Sequence, residues 1–228
     1  MSTGDRREPV ITIDGPAGAG KSTAARELAR RLGFRLLDTG AMYRALAWAV
    51  REAGIPAEDG PALRALLAST TIELIDDGVR VNGRDVTGEI RTPAIGELTS
   101  LLTMLRPVRE KLTPVQRALA GRGGVVLEGR DTGSVVCPDA EVKFYLDADL
   151  DARARRRQEE LAVRGVRLDL SAVREEVARR DRQDMGRAIA PLVRPADAVV
   201  VDTTGLDEDA VVERLLEAVE RARCSTRS

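Results

Sequence analysis

The sequence contains no histidine and two cysteines, and aromatic residues make up 2% of its 228 residues. Without histidine, the chain cannot use Ser-His-Asp or Cys-His catalysis or bind a metal through imidazole. Cys137 and Cys224 are too few for a metal cluster or a disulfide framework, which favours a reducing compartment. Because neither an 18-residue apolar run nor a signal peptide is apparent, the sequence predicts a cytoplasmic protein without membrane contact.

Positive charge is also not in excess. The formal net charge is −1 and the sequence pI is about 5.8. This balance argues against a broadly basic surface, so we predict no nucleic-acid partner. Only three of the 36 basic residues are lysines. A GC-rich coding bias would produce the same excess of arginine, so only the positions of the arginines are informative.

The most informative stretch is Val10–Thr23, where an apolar β-branched run ends at a glycine-rich turn and a helical pattern begins. Its Gly-x-x-x-x-Gly-Lys-Ser spacing is typical of a phosphate-binding loop. Glycines let backbone N–H groups turn toward phosphate oxygens, and the new helix directs its positive end at the same anion. We expect Lys21 to reach the β- and γ-phosphates and Ser22 to bind Mg²⁺. The predicted nucleotide-binding residues are Gly15, Pro16, Ala17, Gly18, Ala19, Gly20, Lys21, Ser22 and Thr23.

Five continuous apolar runs predict the buried strands of a parallel sheet. Helical patterns separate most of them, which is the βαβ rhythm of a doubly wound fold. The sequence therefore predicts an α/β P-loop fold with a five-stranded parallel sheet flanked by helices. The predicted strands are Pro9–Asp14, Phe34–Asp38, Gly124–Glu128, Val142–Leu146 and Ala198–Asp202.

Two segments depart from this rhythm. Residues 69–112 begin with a hairpin signal around the turn Asp76-Asp77-Gly78, and they predict an inserted antiparallel β module with helices. Residues 151–189 hold two arginine-rich helical patterns, which we interpret as a lid that closes over phosphates; a solvated helix face is the alternative. Residues 1–68, 113–150 and 190–228 form the predicted core.

Polar residues follow the carboxyl ends of two predicted strands, where parallel sheets bind ligands. Asp38 and Thr39, with Tyr43 and Arg44, follow the second strand, and Arg130 follows the third. A helix N-cap is an alternative role for Asp38, and an ion pair with the adjacent Asp131 is an alternative for Arg130.

The class of nucleotide chemistry can be narrowed from the residues. A GTPase needs an Asn-Lys-x-Asp element, but the single asparagine, Asn82, precedes a glycine. A phosphate monoester acceptor needs no general base, since its oxygen is already anionic, but it requires arginines and Mg²⁺ to overcome repulsion between two polyanions. The sequence thus predicts a small phosphotransferase, and four arginines suit the acceptor: Arg44, Arg130, Arg180 and Arg187.

Several motifs together resemble bacterial cytidylate kinases, P-loop nucleoside monophosphate kinases, over nearly the whole chain from Val10. Besides the phosphate-binding loop, they are Leu-Leu-Asp-Thr-Gly-Ala-Met-Tyr-Arg, Val-Thr-Gly-Glu-Ile-Arg-Thr, Glu-Gly-Arg-Asp-Thr-Gly and the segment Arg180–Leu192. The resemblance implies ATP-dependent, Mg²⁺-assisted phosphorylation of CMP and dCMP by a protein that we expect to be a monomer. It also implies an insertion specific to CMP binding.

The resemblance implies roles for individual residues. Ser100, Arg109 and Asp131 match the cytosine site, and a carboxylate there would accept a hydrogen bond from the cytosine amine, which uracil lacks. Asp184 with Arg180 matches the sugar-hydroxyl site. The remaining CMP-binding residues are Asp38, Thr39, Tyr43, Arg44, Arg130 and Arg187, and the implied catalytic residues are Lys21, Arg130, Arg187 and the lid arginines Arg153 and Arg157.

The motifs also depart from the family pattern at single positions. Ser22 stands where some members carry glycine, and it restores a direct Mg²⁺ ligand. Thr39 replaces serine and keeps the hydroxyl. Thr132 stands where others carry an apolar residue, and the resemblance gives it no role.

Three other functions are alternatives. The motif Asp-Thr-Gly occurs twice, at Asp38–Gly40 and Asp131–Gly133, as in an aspartic protease, but that chemistry belongs to an all-β fold. A kinase for another nucleoside monophosphate would differ in the acceptor. A non-catalytic nucleotide sensor would bind ATP without transferring phosphate.

Overall fold

The structure is a computed structural model, and it describes residues 8–75, 78–163 and 165–225. The chain divides into two compact units. The first contains the residues up to Leu36 and from Ala120 onward, and the second is Leu37–Leu119. The predicted division into core, insertion and lid uses other boundaries and stays a prediction.

Apart from Leu37 and Asp38 of β2, a five-stranded sheet in the order β2-β6-β1-β7-β8 belongs to the first unit. Strand β1 pairs in parallel with β6 and with β7, and β7 pairs in parallel with β8. This confirms the predicted parallel sheet and places the strand before the phosphate-binding loop at its centre. The strands are β1 (Val10–Asp14), β2 (Arg35–Asp38), β6 (Val125–Glu128), β7 (Val142–Asp147) and β8 (Val199–Asp202).

Helices pack on this sheet around an aliphatic core. Buried residues of β1 and β7, such as Ile11, Ile13 and Phe144, pack with Leu28 of the first helix and Leu215 of the last. Few aromatic side chains take part, as the composition requires. The helices of the first unit are α1 (Lys21–Leu32), α6 (Leu150–Val163), α7 (Leu170–Met185) and α8 (Glu208–Ser225).

The predicted strands agree with the observed ones to within one residue at each end, but β8 is not buried as predicted. Val199 is 43% exposed and Val200 is 47% exposed. The reason is position: β8 is the last strand of the sheet and pairs only with β7 among the described strands. An apolar run predicts a strand, but it does not show whether a neighbour covers it.

The second unit contains a three-stranded antiparallel sheet in the order β3-β4-β5. The predicted hairpin is confirmed, although Asp76 and Asp77 of its turn lie outside the described residues. Thr92 caps α4 by accepting a hydrogen bond from the Ile95 backbone at 3.3 Å. The elements of the second unit are α2 (Thr39–Glu52), α3 (Pro61–Ser69), β3 (Ile72–Ile75), β4 (Gly78–Val81), β5 (Arg84–Asp85), a 3₁₀ turn (Glu89–Arg91), α4 (Pro93–Leu102) and α5 (Arg106–Ala120).

Among the described helices, none combines the length and the apolar character needed to cross a bilayer.

Candidate active site

The loop between β1 and α1 has the geometry of a phosphate-binding loop. Gly15 has φ +147°, and a Cβ there would lie 2.0 Å from the Leu146 carbonyl oxygen. Gly18 has φ +76°, and its Cβ would lie 2.8 Å from the Arg153 carbonyl oxygen. Both positions therefore require glycine for conformation and for space.

The N-terminus of α1 is open to a ligand. Gly20 precedes the helix in a left-handed conformation, and no side chain of the described residues caps it. The first backbone N–H groups of a helix have no partner within the helix, and they carry partial positive charge. This end of α1 can therefore bind an anion, and the exposed hydroxyl of Ser22 stands at the same place.

Lys21 is buried directly beside this open helix end. It is 4% exposed, and its Nζ donates to the Pro16 carbonyl oxygen at 2.6 Å. Burial lowers the pKa of Lys21 to about 7, and the charges of Arg130 and Arg180 add to this effect against Glu128 and Asp184. Because burial disfavours the charged form of Lys21, a bound polyanion would stabilise that form.

Two arginines converge on one buried carboxylate. The Nε of Arg130 donates to Oδ2 of Asp184 at 3.0 Å, and Nη2 of Arg187 donates to Oδ1 of the same group. Burial opposes ionisation of Asp184, but the positive charges of Arg130, Arg187 and Arg180 outweigh it and lower its pKa. Arg130 thus pairs with Asp184 rather than in the ion pair with Asp131 that was the alternative.

Asp14, at the end of β1, organises the turn that carries Asp131, a role that no sequence motif predicted. Its Oδ1 accepts from the backbone N and the hydroxyl of Thr132, at 2.9 and 2.8 Å. Its Oδ2 accepts from the Gly133 backbone at 2.7 Å. Thr132, which had no assigned role, therefore bonds Asp14. Burial raises the pKa of the Asp14 carboxyl, and the nearby charge of Asp131 acts in the same direction.

The two predicted lid arginines have different surroundings. Arg153 is 8% exposed, and it donates from Nε to the Ala148 carbonyl oxygen at 2.8 Å and from Nη1 to the Ala17 carbonyl oxygen at 3.0 Å. Arg157 is more exposed and pairs with Glu160 one turn along α6, at 3.0 Å. The structure thus brings Arg153, but not Arg157, onto the phosphate-binding loop.

In the second unit, Asp38 caps α2 by accepting from the Ala41 backbone at 2.8 Å, as the alternative predicted. Arg44 also pairs with Asp38, with Nη2 and Oδ2 3.2 Å apart. Thr39 is the first residue of α2, so these three predicted site residues lie at the N-cap and in the first two turns of one helix.

Two further predicted residues of the second unit are in contact. Arg109 is buried, with its guanidinium carbon 5.7 Å from the centre of the Tyr43 ring. Its Nε donates to the Thr103 carbonyl oxygen at 2.8 Å. Ser100 donates to the Gly96 carbonyl oxygen of its own helix at 3.2 Å. Arg109 is therefore held as a fixed donor, a suitable group for reading a planar ligand.

A magnesium ion would depend on Ser22 and on its nucleotide. Among the described residues, no group of three or more acidic or cysteine side chains could hold a metal by itself. Mg²⁺ is commonly held by one or two protein oxygens, water and substrate phosphates rather than by a protein cage. The exposed Ser22 hydroxyl at an anion-binding helix end fits that arrangement.

The chain matches known proteins along nearly its full length. A family model described as cytidylate kinase matches residues 11–221. A cytidylate kinase of Symbiobacterium thermophilum is 49% identical over 224 residues, which are 96% of this chain and 99% of that protein. A cytidylate kinase of Geobacter sulfurreducens is 47% identical over 227 residues, covering 98% and 97% of the two chains.

A solved structure of another kinase shows a similar fold. A shikimate kinase from Acinetobacter baumannii, in complex with shikimate, superposes with a TM-score of 0.50 at 16% identity and covers 94% of each chain. At this identity the likeness concerns the fold alone.

Proposed function

The chain belongs to the cytidylate kinase family, and from this premise we propose which of its residues bind and transfer phosphate. It is a nucleoside monophosphate kinase that phosphorylates CMP with ATP as donor. The observation that carries the assignment of residues is a buried lysine at an open helix end, beside a group of arginines in the same unit.

We propose that Gly15–Thr23 binds the phosphates of ATP. Backbone N–H groups of the loop and of the first turn of α1 would bind the phosphate oxygens. Lys21 would exchange the Pro16 carbonyl oxygen for the β- and γ-phosphates, and Ser22 would bind Mg²⁺. When bound, Mg²⁺ would neutralise the negative charge that develops on the phosphates.

The acceptor phosphate is assigned to arginines. Arg130 and Arg187 both pair with Asp184. The charges of Arg130, Arg187 and Arg180 act on this carboxylate, and Lys21 lies near the same groups, so positive charges outnumber the carboxylates of Asp184 and Glu128 here. A phosphate monoester would balance that excess, and guanidinium groups bind it in two-pronged geometry. We assign Arg180 to the same cluster because it acts on the pKa of both Lys21 and Asp184. In the second unit, Arg44 is the proposed phosphate contact.

The base and sugar are assigned by the family resemblance. Asp131, with Ser100 and Arg109, is proposed to read the edge of cytosine through one acceptor and two donors. Asp184 with Arg180 is proposed to meet the sugar hydroxyls. The same resemblance leads us to propose dCMP as a second acceptor. The other proposed CMP-binding residues are Asp38, Thr39 and Tyr43.

Transfer then requires alignment and charge neutralisation rather than a base. The acceptor oxygen is anionic, so the chain has to hold it in line with the γ-phosphate and stabilise the equatorial oxygens as the bond to the leaving oxygen weakens. Lys21, Arg130 and Arg187 are the proposed groups for this work. Arg153 and Arg157 are proposed to contribute from the lid helices.

The acceptor preference tests this function. We expect ADP release with CMP and dCMP well above that with UMP, AMP or shikimate, because uracil and adenine leave buried groups of the site unpaired. A coupled assay of ADP release measures it. Equal rates with CMP and AMP would contradict the assignment, and ATP binding without any transfer would favour the sensor.

The lowered pKa of Lys21 leads to a prediction for ATP binding. With a pKa of about 7, the free enzyme holds Lys21 mostly neutral at about pH 8, and bound ATP stabilises its charged form. ATP binding should therefore take up close to one proton at about pH 8 and roughly half a proton at pH 7. Calorimetry in two buffers of different ionisation enthalpy measures this uptake. A lysine that stays charged throughout would give no such uptake, and Lys21→Met should abolish it.

We also propose that the enzyme is cytoplasmic and works as a monomer without a nucleic-acid partner. The chain has two cysteines, Cys137 and Cys224, and both are free, which is typical of proteins in reducing compartments. The near-zero net charge supports the absence of a nucleic-acid partner.

A further inference from the structure

Asp181 of α7 contacts the backbone of the phosphate-binding loop directly. It is 6% exposed, and its Oδ1 accepts from the Ala17 backbone N at 3.1 Å. Its Oδ2 accepts from Nη1 of Arg153. We propose that Asp181 is a positioning residue that holds the loop in its ATP-binding conformation, an inference that rests on the proposed ATP site.

The contact fixes both backbone polar groups of one loop residue, Ala17, and so two successive peptide units. While Asp181 accepts from the N–H of Ala17, Arg153 donates to the carbonyl oxygen of Ala17 at 3.0 Å. Arg153 is itself fixed, because its Nε donates to the Ala148 carbonyl oxygen after β7 at 2.8 Å. Asp181, Arg153 and Ala17 thus form a closed polar network, which we call the loop clamp.

Packing reinforces the loop clamp. The side chain of Ala17 is buried in an apolar cluster with Leu161 of α6 and with Val173 and Val177 of α7. Gly18 follows with no room for a side chain, since its Cβ would meet the Arg153 backbone. The tip of the loop is therefore held between polar and apolar contacts of the two helices.

A fixed loop matters because phosphate binding uses its backbone. N–H groups that already point inward bind the phosphates without first losing conformational freedom, whereas a loosened loop has to be ordered by the ligand. The same N–H groups hold ATP in the ground state and in the transition state, so this loss weakens binding more than it slows the chemical step. A change at Asp181 should therefore act on KM for ATP rather than on kcat.

Asp181→Asn tests the proposal because it keeps the shape of the side chain and removes its charge. We expect KM and Kd for ATP to rise about tenfold, as the loss of a charged hydrogen bond implies, while kcat and KM for CMP change by less than about threefold. Steady-state kinetics with each substrate varied and calorimetry with ATP give these values. Thermal melting shows whether the variant is folded.

Asp151→Asn is the matched control. Asp151 also pairs across α6 and α7, with its Oδ1 2.6 Å from Nε of Arg174, but the two side chains are 62% and 52% exposed. Removing this exposed pair should leave KM for ATP unchanged. It therefore separates the loop clamp from a general loosening of the two helices.

A normal or improved KM for ATP in folded Asp181→Asn would overturn the proposal, whether or not the melting temperature falls. If that variant does not fold, Arg153→Lys decides. It keeps a charge opposite Asp181 and loses the fork that reaches two carbonyl oxygens, so KM for ATP should again rise more than kcat falls. An unchanged KM for ATP with a fall in kcat alone would overturn the loop clamp and leave Arg153 only its proposed catalytic role. Failure of the wild type to transfer phosphate from ATP would refute the proposed function itself.

Discussion

Replacing Lys21 by methionine should lower kcat for phosphate transfer to CMP by about 10²- to 10³-fold. Methionine fills nearly the same volume, so the loop should remain folded while its only positive side chain is lost. Lys21 is buried at the open end of α1, where its ammonium has one carbonyl oxygen as a hydrogen-bond partner at 2.6 Å. In the enzyme with ATP, that ammonium is proposed to stabilise charge on the transferring phosphate.

The burial of Lys21 explains why the effect is large. A charge in a poorly solvated site interacts with its partner more strongly than the same charge in water. Four neighbouring charges, on Arg130, Arg180, Glu128 and Asp184, act on its pKa. Lys21 therefore lies among the charged groups of the proposed site rather than at the surface. Steady-state kinetics with saturating ATP and CMP measure the loss.

Lys111→Met is the matched control, since it makes the same change on α5, outside the proposed catalytic groups. Its kcat should stay within about twofold of the wild type, because Lys111 is partly exposed and is not among the proposed site residues. If Lys21→Met kept more than a tenth of the wild-type kcat in a folded protein, the catalytic role of Lys21 would be wrong.

Changing Asp131 should remove the preference for cytosine. Asp131→Ala should lower the ratio of kcat/KM for CMP to that for UMP by about 10- to 100-fold, while Kd for ATP is retained. Asp131 is 6% exposed and follows the Arg130 that meets Asp184, so its carboxylate belongs to the buried part of the candidate site. A buried acceptor left facing a uracil carbonyl is the proposed source of discrimination.

Asp131→Asn sharpens this test. Its amide can donate to the uracil carbonyl, so the variant should gain activity with UMP relative to Asp131→Ala. Asp139→Asn, at an exposed position farther along the same connection, is the control and should keep the preference of the wild type. An unchanged ratio of CMP to UMP in both Asp131 variants would remove this residue from base recognition.

Local features of the sequence predicted the elements of the fold well. The phosphate-binding loop and the five strands depend on glycines and apolar runs within short windows, and the strand bounds were predicted to within one residue. Helix α3 was missed although Gly60-Pro61 gives a helix-start signal, with proline at the first helical position.

Contacts between distant segments could not be predicted in the same way. Asp14 bonds Thr132 and Gly133 more than 100 residues later, and Asp181 is 164 residues from Ala17. No periodicity or motif spacing connects such pairs, because only the folded sheet and the packed helices bring them together. The residues at the strand ends were therefore easier to predict than the distant residues that hold their loops in position.

Competition between acceptors tests the central claim most directly. The enzyme is given ATP labelled in its γ-phosphate together with equal concentrations of CMP, UMP and AMP, and the labelled diphosphates are separated. We predict that labelled CDP exceeds labelled UDP and labelled ADP by at least about tenfold, since a single unpaired buried group already costs that much. Equal labelling of the three products, or no labelled CDP, would contradict the account.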